Sequence, residues 1–321
     1  MTDTRSFTDF LRWRWQRMGQ ASASRPGPSD LPVAESRVAH PASPTGEVRI
    51  TWIGHSTFLV QAGGLNLLTD PIFSDRASPL RWIGPRRLVP PGLRIDDLPP
   101  LDAVLLSHDH YDHLDERSVR ALHSRFGDRT RWITPLGYAA WFARRRITSV
   151  VELDWWEAAR VPGGSDGQGV EVTALPARHW TKRGLFDDPD RRWASFSIDA
   201  GPGAKIYFGG DSGYFGGFAE IGVRAGPFDA AILPIGAYDP RWFMEAAHMN
   251  PEEAVRAWAD LGGEGRFVAM HWGTFVLTDE PVLEPPARAR RAWAEAERDD
   301  ADLTILRHGE TMILAIRDDP D

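Results

Sequence analysis

The sequence predicts an α/β protein in which two β-sheets pack together with helices on the outside. Dense strand patterns fill two blocks, residues 48 to 107 and 170 to 233, and each block runs on into a capped helix. With 321 residues, 42% of them apolar, the chain can bury a sizeable core. No apolar run approaches the roughly 18 residues of a membrane span.

In chain order, residues 6 to 19 predict a helix. Ser6 and Asp9 make a capping box, Phe7, Phe10, Leu11, Trp15 and Met18 share one face, and Gly19 stops it. Arg12, Arg14 and Arg17 accompany that face, so the helix reads either as an interfacial element touching anionic lipid or as an arm docked on its own domain. Residues 20 to 46, rich in Ser, Pro and Ala, read as an extended linker. Residues 1–47 are therefore expected to be arm and linker, and 48–321 the folded domain. Strands follow at VRITWI, TFLVQ, LNLLT and AVLLS, then a helix at 116–126 with Asp115 as cap, Leu114 and Val119 as staple, and Gly127 as stop. The second block predicts strands near 170–175, 194–199, 204–208 and 229–233. Its helix, 251–261, carries Asn250 and Glu253 as a capping box around Pro251, with Gly262 closing it. Strands near 266–270 and 311–316 and a helix near 288–297 complete the chain.

A formal charge of -8 and the absence of any evident basic module disfavour nucleic acid as a partner. There are no cysteines, so a metal site would have to use imidazole and carboxylate. The N-terminal stretch lacks the apolar core and cleavage site of a signal peptide, and the expectation is a soluble, cytoplasmic protein.

Residues 108–113 read His-Asp-His-Tyr-Asp-His directly after a strand. A tight loop there can aim His108 and His110 at one point and Asp112 and His113 at a second, which two adjacent metals would explain. Six residues cannot close two such shells, so further ligands are expected at other strand ends. His179 in ALPARHW, Asp211 in YFGGDSG and His271 in FVAMHWG meet that demand. Asp211 is the natural bridge, because a carboxylate has an oxygen for each ion. Asp109 falls outside the ligand positions.

The order of these seven residues resembles the metallo-β-lactamase superfamily, which implies a four-layer αββα sandwich with a two-metal site at one edge. The stretches TWIGHSTFLVQAGGLNLLTDPIFSDRASPLRWIGPRRLVPPG, LLSHDHYDHLD, GDSGYF, YDPRWFMEAAHMNPEEAV and HWGTF resemble, more narrowly, the N-acylphosphatidylethanolamine-hydrolysing phospholipase D family. That resemblance implies a dinuclear zinc phosphodiesterase that cleaves a phospholipid to an N-acylethanolamine and phosphatidic acid. Lactone or ester hydrolysis, or a non-catalytic metal-binding and membrane-associated role, is the alternative.

The expected assignment gives His108, His110 and His179 to one Zn2+, Asp112, His113 and His271 to the other, and Asp211 to both. His248, following the family's pattern, is expected to serve the leaving group or hold the phosphate, and with Asp112 and Asp211 it makes the catalytic set. Asp70 is expected to orient a ligand histidine, and His55 to stand behind the ligands in a pocket wall or a turn. Arg76, Arg81, Arg86 and Arg87 are candidates for phosphate, and Trp82, Trp242 and Phe243 for the walls of a lipid site. A phospholipid or other small phosphodiester is the expected partner, with peripheral contact at the inner face of the membrane as an option.

Overall fold

Alternate residues along the strands bury into different layers, and this alternation organises the molecule. The computed structural model describes residues 12, 13, 15, 26, 27, 29–31, 33–42, 44, 46–163, 167, 169–181, 183 and 190–316. Six strands open the first sheet: β1 (Glu47–Gly54), β2 (Thr57–Ala62), β3 (Leu65–Thr69), β4 (Ala103–Leu105), β5 (Arg131–Pro135) and β6 (Val150–Leu153). The second sheet contains β7 (Ala158–Val161), β8 (Val170–Leu175), β9 (Ser195–Asp199), β10 (Lys205–Phe208), β11 (Ala230–Pro234), β12 (Arg266–Met270) and β13 (Leu303–Thr304). A last strand, β14 (Thr311–Ala315), returns to the first sheet beside β1. Both sheets are mixed. Antiparallel pairs join β14, β1, β2 and β3, and again β7 to β10, whereas β3 to β6 and β10 to β13 run parallel.

Val48, Ile50, Trp52, Phe58 and Val60 of the first sheet meet Val172, Phe196, Ile206, Ile232 and Val268 of the second in one buried core. The opposite side chains face outwards. Leu59, Leu68, Val104 and Trp132 pack under helices α1 (Glu116–Phe126) and α2 (Ala139–Ala143). On the other side Tyr207, Ala231, Leu233 and Phe267 pack under α3 (Gly217–Ala225), α5 (Pro251–Asp260) and α6 (Glu284–Glu295), while the short α4 (Arg241–Met244) lies in the connection before α5. The expected four-layer αββα sandwich is thus the observed one. Among the described residues no helix is long and apolar enough to cross a membrane.

Several local expectations change. Helix α6 begins at Glu284, with Pro285 at a position where a missing amide hydrogen costs nothing. Residues 33–42, read as linker, are strapped to the first sheet: Ala34 N donates to His308 O at 2.7 Å, and Ala39 and Gln61 exchange two hydrogen bonds. Of the N-terminal helix, Arg12, Trp13 and Trp15 are described and helical; Phe7, Phe10, Leu11 and Met18 lie outside the described residues. Trp15, expected on the apolar face, is 74% exposed, and Trp13 is the buried one. Trp13 stacks on Phe243 at 5.4 Å and donates Nε1 to Asp279 at 2.7 Å.

The capping box of α5 is present, with Asn250 Oδ1 accepting from Glu253 N at 2.8 Å and Glu253 Oε2 accepting from Asn250 N at 3.0 Å. Glu253 also pairs with Arg241, whose Nη1 donates to His248 O, so the cap secures the segment that carries His248. Asn250→Ala is expected to lower stability by about 1 kcal/mol in urea unfolding monitored by circular dichroism; an unchanged midpoint would show that the cap holds nothing.

Candidate metal centre

Strands β3, β4, β8, β10 and β12 end at the same edge of the sandwich, and the loops leaving them carry the chemistry. β4 feeds the loop of His108, His110, Asp112 and His113; β8 leads to His179, β10 to Asp211 and β12 to His271. His55 occupies the turn from β1 to β2, and Asp70 follows β3. Three of these residues, His55, Asp70 and His271, take positive φ of 57°, 32° and 62°. Such conformations cost of order 1–3 kcal/mol each and persist where the surroundings enforce them. Gly210, at φ 55°, lets the chain bring Asp211 past Ser107; a Cβ there would lie 2.7 Å from that of Ser107.

Hydrogen bonds behind the imidazoles set which nitrogen faces inwards. Asp70 accepts from Ser107 N at 2.7 Å, from Ser107 Oγ at 2.6 Å and from His113 Nδ1 at 2.7 Å. Because the Ser107 hydroxyl donates to Asp70, it accepts from His108 Nδ1 at 2.9 Å. One carboxylate thereby orients two histidines and leaves both Nε2 atoms pointing into the cluster. His179 Nδ1 donates to Ala247 O at 3.0 Å with the same result. His55 Nε2 bonds Asp112 Oδ2 at 2.9 Å, so His55 both joins the cluster and steadies a carboxylate.

Among the described residues four overlapping groups of convergent donor atoms result, the two largest being His108, His110, His179 and Asp211, and His55, Asp112, His113 and His271, with Asp70, His108 and His113, and Asp211, His248 and His271, as the smaller ones. Asp211 reaches both of the larger groups. Its Oδ2 lies 3.8 Å from His108 Nε2, 3.9 Å from His179 Nε2 and 3.1 Å from His113 Nε2, while Oδ1 lies 3.2 Å from His271 Nε2. Asp112 Oδ2 lies 3.5 Å from His113 Nε2 and 3.7 Å from His271 Nε2. Ligand atoms about 2.0–2.2 Å from a tetrahedral ion stand roughly 3.3 Å apart, so these spacings suit metal ions. His113 Nε2, His271 Nε2 and Asp211 Oδ1 are buried without a hydrogen-bond partner, which a cation would remedy. On both counts the donor set fits two metals. His248 Nδ1, also buried and unpartnered, stands 3.8 Å from Asp211 Oδ2.

Burial, reinforced by neighbouring imidazoles, holds His108 well below its ordinary pKa and His179 at about 3; burial likewise holds His110 at about 4. Desolvation also lowers His55 and His248 to about 3. These rings are neutral at pH 7, the form that can bind a metal. Burial opposes charge on His113 and His271 too, but there carboxylates win. Asp211, Asp112 and Asp70 push His113 well above its usual value, and Asp211 with Asp112 raises His271 to about 9.

The other expected residues are less uniformly placed. Asp109 turns away, its carboxylate accepting from Arg191 Nη1 at 2.8 Å. Arg87, expected to bind phosphate, is instead a buried tie: it donates to Ile72 O and Ser74 O, and its guanidinium lies over Phe275. Phe243, expected on a substrate wall, is buried against Trp13, whereas Trp242 keeps 41% exposure with Arg12 over its ring. Arg76, Trp82 and Arg86 lie on the loop after β3; Arg76 Nη1 donates to Gly84 O, and Trp82 is 76% exposed. Sequence reasoning missed Thr274 and His308, which hold the His55 turn. Thr274 Oγ1 accepts from His55 N at 2.7 Å and meets His308 Nε2 at 2.8 Å, and His308 stacks on Trp52. Thr274 lies inside HWGTF and was within reach of that motif; nothing around His308 marked it.

The fold and its cluster of histidines and aspartates define a metal-dependent hydrolase. Residues 65–272 match the β-lactamase superfamily domain, and the chain belongs to that superfamily. An uncharacterized protein of Mycobacterium tuberculosis is 42% identical over 93% of this chain and 76% of its own length. The N-acyl-phosphatidylethanolamine-hydrolyzing phospholipase D 1 of Caenorhabditis elegans is 40% identical over 73% of this chain and 67% of its own. Among solved structures, the metallo hydrolase Igni18 of Ignicoccus hospitalis superposes with a TM-score of 0.63 at 21% identity, covering 84% of this chain and 100% of that one.

Because His271 and His113 carry protons that a metal must displace, metal uptake by metal-free protein is expected to release protons at pH 7. Affinity should therefore rise with pH until His271 titrates near 9. Calorimetric titrations in buffers of different ionisation enthalpy check this; buffer-independent heats and a pH-independent affinity would contradict it.

Proposed function

We propose that the protein is a dizinc phosphodiesterase of phospholipase D type, acting on N-acylphosphatidylethanolamine-like lipids. The observation that carries the dinuclear reading is Asp211, whose two oxygens lie within reach of both donor groups. His108, His110 and His179 would hold one ion, Asp112, His113 and His271 the other, with Asp211 between them. Two such ions lower the pKa of a shared water and stabilise both oxygens of an in-line displacement. Zinc suits imidazole and carboxylate donors, although affinity alone does not select it among first-row metals.

The chain's own groups have distinct tasks. His55 holds Asp112 in place, and Asp70 keeps His113 in the tautomer whose Nε2 faces inwards. His248 is kept neutral by its burial, so it offers a ring N–H to a phosphate or leaving oxygen near Asp211 rather than a standing positive charge. The lipid substrate class is supported by similarity to the nematode phospholipase and by the loop after β3. Leu80, Trp82 and Ile83 there are 42%, 76% and 58% exposed, with Arg76 and Arg86 nearby in the chain. An apolar tip among arginines suits the boundary between headgroups and acyl chains, and we read it as the point of peripheral membrane contact.

The test is a panel of N-acylphosphatidylethanolamine vesicles, an aryl phosphodiester and several lactones, with Asp211→Asn measured alongside. Both phosphodiesters should turn over, the lipid giving phosphatidic acid, and the variant should lose at least about a hundredfold in kcat. Turnover of lactones without phosphodiesters would overturn the reading, and near-normal activity of Asp211→Asn would remove its shared ligand.

A further inference from the structure

A second cavity lies behind the metal loop. It is an open cleft of about 720 Å³ whose walls come from the loop after β3, the segment 111–120, the helix α2 region and residues 183 and 191. Tyr111, between His110 and Asp112 in the loop, forms part of its lining. A cleft of that size would hold a phosphate group with its substituent.

Its charge is opposite to that of the whole molecule. Among the described residues seven arginines line it against two carboxylates, Asp115 and Glu116, in a chain of formal charge -8, and one of the seven, Arg191, is paired with Asp109 at 2.8 Å. Three carboxylates, Asp109, Asp115 and Glu116, pair with or face these seven arginines, so positive charge remains in excess among the described residues. Asp115 caps α1, accepting from Ser118 N and Oγ and from Ser74 Oγ, and lies 3.9 Å from Arg117 Nε. Glu116 is divided between Arg120 at 2.8 Å and Arg145 at 2.5 Å. Arg145 is held against the buried Trp141, its guanidinium 3.6 Å from the ring centroid, so one wall is rigid before any ligand arrives. Arg117 is fixed by Ser74 Oγ and Ser78 O. Arg144 is exposed and makes no ion pair among the described residues.

Guanidinium groups held by packing, with a surplus of positive charge in a concave site, focus the field on an anion and lose little entropy on binding it. We propose that this cleft is an anion-binding site for a phosphate group, separate from the metal centre. The group could belong to a soluble phosphate or to the headgroup of an anionic phospholipid. The site does not depend on which bond the metal centre cleaves.

The test uses the metal-loaded full chain and the charge-reversal pair Arg120→Glu/Arg144→Glu. Inorganic phosphate is followed by equilibrium dialysis, and sedimentation is measured with phosphatidylcholine vesicles with and without phosphatidic acid. Wild type should bind at least one probe at low ionic strength, and less at high salt. The double variant should lose at least tenfold, with its metal content and aryl phosphodiester turnover unchanged. Binding of phosphate alone supports the site and assigns it to soluble phosphates; binding only of vesicles containing phosphatidic acid supports it and assigns it to lipid headgroups. If wild type binds neither probe, or if the double variant binds as wild type does, the proposal is overturned, the latter result placing the anion at the metal centre. Failure to cleave N-acylphosphatidylethanolamine would bear on the metal centre alone.

Discussion

Asp211 is buried with imidazole nitrogens at 3.1 to 3.9 Å from its oxygens, and five of the histidines that surround the cluster are held neutral. Collecting so many desolvated donor atoms at one place is unfavourable unless cations complete them. The sheet edge supplies the collection point, since parallel strands from two sheets deliver their carboxyl ends there. Without the edge, residues as far apart in the chain as Asp112 and His271 would not converge on one point.

Holding that geometry takes most of the polar groups nearby. Asp70 alone fixes Ser107, His113 and, through the serine, His108. Thr274 and His308 enforce the left-handed turn at His55, and Gly210 gives Asp211 its approach. Strained backbone at His55, Asp70 and His271 is the local cost, offset by a core in which both sheets interdigitate. The arginine cleft behind Tyr111 has the same economy of position, because one loop presents the donor atoms of His108, His110, Asp112 and His113 to the cluster and Tyr111 to the wall of the cleft.

Much of this was legible in the sequence, for physical reasons that differ from element to element. Most strands of the central core announced themselves through alternation or unbroken apolar runs, and α1 and α5 through Asp115, Asn250 and Glu253; β5 did not, because Arg131, Thr134 and Pro135 leave it only two adjacent apolar residues, although Ile133 joins the core. Strands β6 and β7 did not, because they are four residues long and largely half-buried or exposed. Helix α3 starts without a side-chain cap, so no start signal preceded it. In the site, His108 to His113 were conspicuous by density, and the structure brings His179, Asp211 and His271 to them. Side-chain direction was beyond reach. Nothing in the sequence separates Arg87, which ties backbone carbonyls, from Arg86, which is exposed, or Phe243, which is covered, from Trp242, which is not.

The central claim is that Asp211 joins two ions in one buried cluster. Anomalous diffraction at the metal edge, on crystals of protein purified with its native metal, addresses it most directly. The account predicts two peaks about 3.5–4 Å apart, one beside His108, His110 and His179 and one beside Asp112, His113 and His271, each within bonding distance of Asp211. A single peak, or two peaks with Asp211 bound to neither, would contradict it.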